Sequence, residues 1–133
     1  MRTHHIGIIV NDLDKNIELY LNLGYEKISD TIIDRIQNNR VLFCKSCDGA
    51  QTIELIEPID EHSSIRNFKS GYHHICYEAE PGEDIIQKFK EMRIGKIFTK
   101  PIVAPALDGR KVVFACLQNG TFIEFILQGE KFR

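Results

Sequence analysis

The chain has 133 residues, 43% apolar and 27% charged, with a formal net charge of −2 at pH 7. These values describe one ordinary globular unit large enough to bury a core, and they exclude the basic surface that nucleic acid requires. No apolar run is long enough to span a bilayer, and the opening MRTHHIGIIV is too short and interrupted for a secretory signal, so the chain is expected in the cytoplasm with its four cysteines reduced.

His5 to Val10 reads as a strand, with Ile6, Ile8 and Val10 on one face and Gly7 and Ile9 on the other. Asn11-Asp12 is a helix start, Leu13, Ile17, Tyr20 and Leu21 recur at helical spacing, and Gly24 closes the helix. Tyr25 to Arg35, rich in Ile and Thr, predicts an extended segment, followed by the turn residues Gln37-Asn38-Asn39 and a strand over Val41 to Cys44. Asp48-Gly49 is a hairpin signal before a returning strand, Gln51 to Glu57, which Pro58 ends. Ile59 to Ser70 is polar and without period, a linker.

The pattern then restarts. Tyr72 to Glu78 predicts a strand, and Pro81-Gly82-Glu83 precedes a helix with Ile85, Ile86, Phe89 and Met92 on one face. Ile97 to Val103 is extended, and Pro101, Pro105 and Asp108-Gly109 bracket a loop. Lys111 to Cys116 and Thr121 to Leu127 are strands joined by a tight Asn119-Gly120 turn. Both halves read β-α-β-β-β. His73-His74-Ile75 echoes His4-His5-Ile6 at an offset of 69 residues, and Phe122-Ile123-Glu124 echoes Thr52-Ile53-Glu54 at an offset of 70. Two distant segments sharing nearly one offset imply an internal duplication. The expected architecture is α+β, with two tandem βαβββ modules over about 3–58 and 71–129 and a linker over about 59–70, in a single domain spanning 1–133.

Each half carries histidines on its first strand and a glutamate on its last. Glu54 and Glu124 lie inside the apolar runs TIELIEP and TFIEFIL, with no basic residue in either strand. An ionised carboxylate in such surroundings is costly unless a cation compensates it, and one divalent metal could compensate both. Imidazole and carboxylate donors suit Zn, Ni, Co, Fe or Mn. Strand parity allows one histidine of each pair, His4 or His5 and His73 or His74, to share a face with the glutamate, without saying which. His62, in the linker, reads as surface. Cys44 and Cys47 form a C-x-x-C, but no second pair completes a zinc site and the motif opens no helix as a redox pair would, so they read as packing cysteines beside a turn.

The opening HHIGIIVNDLDKNIELY, the strands IELIEP and HHICYE, and the closing GTFIEFIL together resemble the vicinal oxygen chelate superfamily, along essentially the whole chain. That superfamily includes glyoxalase I, methylmalonyl-CoA epimerase, extradiol dioxygenases and fosfomycin or bleomycin resistance proteins. The resemblance implies a glyoxalase-like fold whose curved mixed sheet surrounds a metal-binding cleft. It also implies a homodimer, and one divalent ion held by His5, Glu54, His74 and Glu124.

This His-Glu-His-Glu set matches bacterial glyoxalase I, whereas typical epimerases place Gln where this chain has Glu54. Epimerases of this kind also carry a catalytic Glu before the third strand, where this chain has Asp34-Arg35-Ile36-Gln37-Asn38. The leading expectation is therefore a glyoxalase I-like lyase (lactoylglutathione lyase type). It would act on a small carbonyl substrate, a thiol adduct or acyl-CoA, removing the adjacent proton with Glu124 or Glu54 while the metal stabilises the resulting enediolate. The alternative is an epimerase-like isomerase. Below both stand a metal-free drug-binding module, a thiol transferase and an extradiol dioxygenase of the same fold. Lys96, Lys100, Arg110 and Lys111 are candidates to hold an acidic substrate tail, although a solvated surface is the plainer reading.

Overall fold

The computed structural model describes residues 1–129. The chain divides into two compact units, one spanning His5–His73 and the other joining Met1–His4 to the chain from His74 onward. The last four positions of the expected domain, 130–133, lie outside the described residues. No helix among the described residues is long and apolar enough to cross a membrane.

The first module runs β1 (Arg2–Ile9), α1 (Leu13–Asn22), β2 (Tyr25–Lys27), β3 (Ile32–Asp34), β4 (Asn39–Ser46) and β5 (Thr52–Pro58). Its strands lie in the order β2-β4-β5-β1, with β3 also on β4. The sheet is mixed, because β1 and β5 run parallel while β4 is antiparallel to β5. The helix begins where expected: Asp12 is extended, and its side chain accepts a hydrogen bond from the Lys15 amide at 3.2 Å. Glu57 of β5 accepts from the Leu13 amide at 3.0 Å and pairs with Arg40 at 2.7 Å, tying the helix start to the sheet. Leu13 and Ile17 enter a core with Ile8, Leu42, Cys44, Ile53 and Leu55. Full burial of Leu13 contributes about 2 kcal/mol. Leu21, expected on the same face, stays 43% exposed because it lies at the edge of the apolar stripe in the last turn. Gly24, at φ +94°, ends the helix in a backbone conformation that L side chains rarely adopt.

The second module repeats the plan. β6 (Gly71–Glu78), α2 (Ile85–Met92), β7 (Gly95–Ile97), β8 (Ile102–Ala104), β9 (Arg110–Leu117) and β10 (Phe122–Ile126) follow one another, with a short 3-10 turn over Pro105–Leu107. The strand order is β6-β10-β9-β7, with β8 on β9, and β6 and β10 are parallel. Asp84 caps α2, which buries Ile85 and Phe89 against Val113, Ala115, Ile123 and Phe125. The protein is thus α+β, built of two βαβββ-like modules with mixed sheets.

The structure corrects the second strand of each module. The expected continuous segments Tyr25 to Arg35 and Ile97 to Val103 are each broken in two. Between Lys27↔Cys44 and Ile32↔Val41 the chain advances five residues against three on β4. Between Ile97↔Ala115 and Ile102↔Val112 it again advances five against three on β9. The extra residues loop out because a hydroxyl takes over one ladder bond. The Ser29 hydroxyl accepts from the Phe43 amide and the Thr99 hydroxyl from the Phe114 amide, each at 2.9 Å. Two smaller differences are that β1 starts at Arg2 and that Asn39 opens β4 instead of ending the turn. The polar linker is anchored, with Ser63 fully buried and its hydroxyl 2.5 Å from the Asn39 side-chain oxygen.

Candidate functional site

Strand register sorts the side chains of each sheet onto two faces. In the first module, Ile53 and Leu55 face the α1 core, so Glu54 between them points the other way. Glu54 stands opposite Gly7 on β1, and His5, two residues before Gly7, shares that face. Gly7 has no side chain to occupy the space between them. The His5 Nε2 lies 3.3 Å from a Glu54 oxygen, with the imidazole fully buried and the carboxylate side chain 13% exposed.

The second module repeats the arrangement. Ile123 and Phe125 face the α2 core, and Glu124 stands opposite the small Cys76 on β6. The His74 Nε2 lies 3.1 Å from a Glu124 oxygen, and the two side chains are 2% and 6% exposed. Each imidazole also packs edge-on against a phenyl ring across the sheet, His5 on Phe43 at 5.1 Å and His74 on Phe114 at 5.6 Å. The structure therefore brings His5 to Glu54 and His74 to Glu124. His73, of opposite parity to His74, packs on Phe68 at 4.7 Å.

Each pair suits a shared cation. Two donors about 2.1 Å from one ion stand about 3.0 Å apart at octahedral angles and about 3.4 Å at tetrahedral ones. The separations of 3.3 Å and 3.1 Å fall in that window. Nitrogen plus carboxylate donors match the borderline divalent metals, and burial makes an uncompensated carboxylate expensive.

Asp34 and Asn39 are register partners at the far end of β3 and β4. Asp34 is buried, and its carboxylate accepts from the Ile36 and Gln37 amides at 3.0 Å and 2.9 Å. It holds the turn. Arg110, a candidate for holding an acidic tail, is instead paired with Glu78, which Arg2 also contacts at 3.1 Å. Burial pushes the Glu78 carboxyl up, but Arg110, helped by His4 and Arg2, outweighs it and holds the group below the usual carboxylate range. The sequence reading missed this pair because its partners lie 32 residues apart and come together only through β6 and β9. Of the C-x-x-C cysteines, Cys44 is buried in the α1 core and Cys47 is exposed at the turn.

Residues 4–114 match the glyoxalase/bleomycin resistance protein/dioxygenase superfamily. The chain belongs to that superfamily. Among its members, the human mitochondrial methylmalonyl-CoA epimerase is 26% identical over 118 residues. That match covers 85% of this chain and 65% of the epimerase, less than two thirds of its length. A hypothetical protein of Bacillus halodurans C-125 superposes with a TM-score of 0.80 at 26% identity, covering 99% of this chain and 97% of its own. Methylmalonyl-CoA epimerase from Mycobacterium tuberculosis superposes with a TM-score of 0.79 at 22% identity, covering 98% and 89%. The superfamily and its fold agree with the sequence reading. Two of these three relatives are named as methylmalonyl-CoA epimerases.

Proposed function

We propose that this chain is a metal-dependent isomerase of the methylmalonyl-CoA epimerase kind, moving a proton on the carbon next to a thioester carbonyl. The 26% identity to a named methylmalonyl-CoA epimerase over 85% of this chain supports the isomerase, and the repeated His–Glu pair, at 3.3 Å in one module and 3.1 Å in the other, each on the sheet face away from its helix, supports the metal. We read the two pairs as halves of one divalent-metal site formed by His5, Glu54, His74 and Glu124. When bound, the ion would act as a Lewis acid on the substrate oxygens.

The protein residues carry the rest of the chemistry. Inversion at carbon needs a proton removed from one face and returned to the other, hence two carboxyl groups on opposite sides. Glu54 and Glu124, related by the duplication, supply two such groups. The phenyl rings of Phe43 and Phe114 hold the imidazoles in orientation by edge contact, and burial keeps water from competing for the proton.

The glyoxalase I-like lyase remains the second reading on one observation. Glu54 adds a second carboxylate to the ligand set, and Asp34, nearest the epimerase's usual base position, is engaged in a turn. A cytoplasmic homodimer belongs to the same proposal, and light scattering would check the oligomeric part.

The deciding experiment supplies the protein with Co, Ni, Zn or Mn in turn. It follows loss of α-hydrogen from methylmalonyl-CoA in deuterated water, beside isomerisation of a methylglyoxal hemithioacetal. Exchange accompanied by racemisation is expected. Hemithioacetal turnover without exchange would move the assignment to the lyase, and neither activity with any metal would sink both readings.

A further inference from the structure

The face that carries His74 and Glu124 continues outward as a run of phenyl rings. Phe114 is the cross-strand partner of Glu124, and Phe122 precedes Glu124 by two residues on β10, so both rings share its face. Phe98, just beyond β7, meets Phe114 at 6.5 Å and Phe122 at 5.8 Å between ring centroids. Exposure rises along this run. Glu124 is buried, Phe114 and Phe122 are half-buried, and Phe98 is 55% exposed.

An aromatic side chain more than half exposed, at the end of a run that begins at the candidate site, loses nothing but hydration when a ligand covers it. The backbone fixes its position. Gly95 lets β7 approach β9 closely, since a Cβ there would stand 2.3 Å from the Cys116 carbonyl oxygen. The Phe98 amide then donates to the Phe114 carbonyl at 3.0 Å, while Thr99 takes the Phe114 amide. The rings are therefore presented on rigid backbone, which lowers the ordering cost of binding.

The duplication supplies an internal control. The first module also sets a phenylalanine, Phe43, beside its histidine. Where the second module has Phe122 and Phe98, however, the first has Thr52 and Ile28. Holding an imidazole therefore needs only the first ring, and since Ile28 is itself 51% exposed, what the second module adds outward is aromatic surface.

We propose that Phe98 and Phe122 are specificity-determining residues that bind an apolar substituent larger than methyl on the substrate's α-carbon. This rests on the proton-transfer function proposed above and names its substrate class as α-branched acyl thioesters with a medium alkyl or arylalkyl branch. A methyl branch is too small to cover both outer rings. A butyl or benzyl branch can, and each methylene moved out of water is worth about fourfold in binding.

The test measures α-hydrogen exchange in deuterated water, with metal-loaded protein, for 2-methyl-, 2-butyl- and 2-benzylmalonyl-CoA. Wild type is expected to show kcat/KM at least tenfold higher for the butyl or benzyl compound than for the methyl one. Phe98→Ala and Phe122→Ala should remove most of that preference while leaving the methyl compound within about twofold, and Phe98→Leu should restore part of it. Thermal melts of both alanine variants confirm that the fold survives. Exchange of the methyl compound with equal or lower rates for the larger ones would overturn the proposal and leave the isomerase standing, as would equal losses on all three substrates in the variants. No exchange of any of the three by wild type would overturn both.

Discussion

The Nε2 of His74 and the nearest carboxylate oxygen of Glu124 stand 3.1 Å apart, both side chains nearly fully buried. That spacing is set by the parallel register of β6 and β10, which places Glu124 opposite Cys76, two residues from His74. The parallel register of β1 and β5 does the same for His5 and Glu54 through Gly7.

Metal should therefore stabilise the fold through these side chains. At a hundredfold excess over Kd, a bound divalent ion contributes about 2.7 kcal/mol, or roughly 10 °C in Tm for a chain of this size. His74→Ala and Glu124→Ala are expected to lose both the metal, measured by elemental analysis, and the EDTA-sensitive part of Tm. His73→Ala, whose ring packs on Phe68, should keep them. Metal retained in His74→Ala would refute the assignment of that ligand.

Acid stability should depend on Glu83. Its carboxylate accepts from the Glu80 amide at 2.9 Å and pairs with Lys88 and the chain's amino terminus, each at 2.9 Å. The Glu80 amide first, and then Lys88 and the terminal amine, bring its pKa from 4.5 to about 2. A carboxyl depressed in the folded state stabilises the protein above its unfolded pKa and loses that contribution as pH falls through the folded one. The Tm gap between wild type and Glu83→Gln should thus be full at pH 5.5 and close progressively between about 4.5 and about 2. A gap unchanged at pH 2 would contradict this.

Thiol reactivity should separate the two cysteines of the C-x-x-C. Burial pushes the Cys44 thiol up, with nearby Lys27 opposing it only in part, and Cys44 lies in the α1 core. Cys47 is exposed. Mass-resolved labelling of native protein at pH 8 should modify Cys47 quickly and reach Cys44 only on unfolding. Equal rates at the two sites would show that this part of β4 opens readily.

Gly95→Ala should destabilise the protein by about 3 kcal/mol, because the added carbon meets backbone on β9 and not a yielding side chain. Urea melts give the value. Cost within a few tenths of a kcal/mol would mean that β7 can move away from β9 freely. Gly120, where a Cβ meets nothing within 4 Å, is the comparison, and only its φ of +87° should cost, about 1 kcal/mol.

The sequence by itself determined the duplication, both helices with the start of the first at Asp12, and the two glutamates among the metal-ligand candidates. These follow from local signals: an Asp before an apolar stripe at helical spacing, and a lone Glu within an alternating apolar strand repeated some seventy residues later. The two-residue alternation of a strand also put Glu54 and Glu124 on the face opposite their apolar neighbours Ile53 and Leu55, or Ile123 and Phe125, while the structure showed that those neighbours face the helices.

Only the tertiary structure decided what depends on partners distant in the chain. It divided the second strand of each module, because whether Ser29 and Thr99 face solvent or take an amide of β4 or β9 depends on a strand fourteen or fifteen residues away. It paired His5 with Glu54 and His74 with Glu124, since parallel register between non-adjacent strands leaves no local mark. It took Arg110 for Glu78 and set Phe98 against Phe122, two contacts that strand pairing creates and that no periodicity encodes.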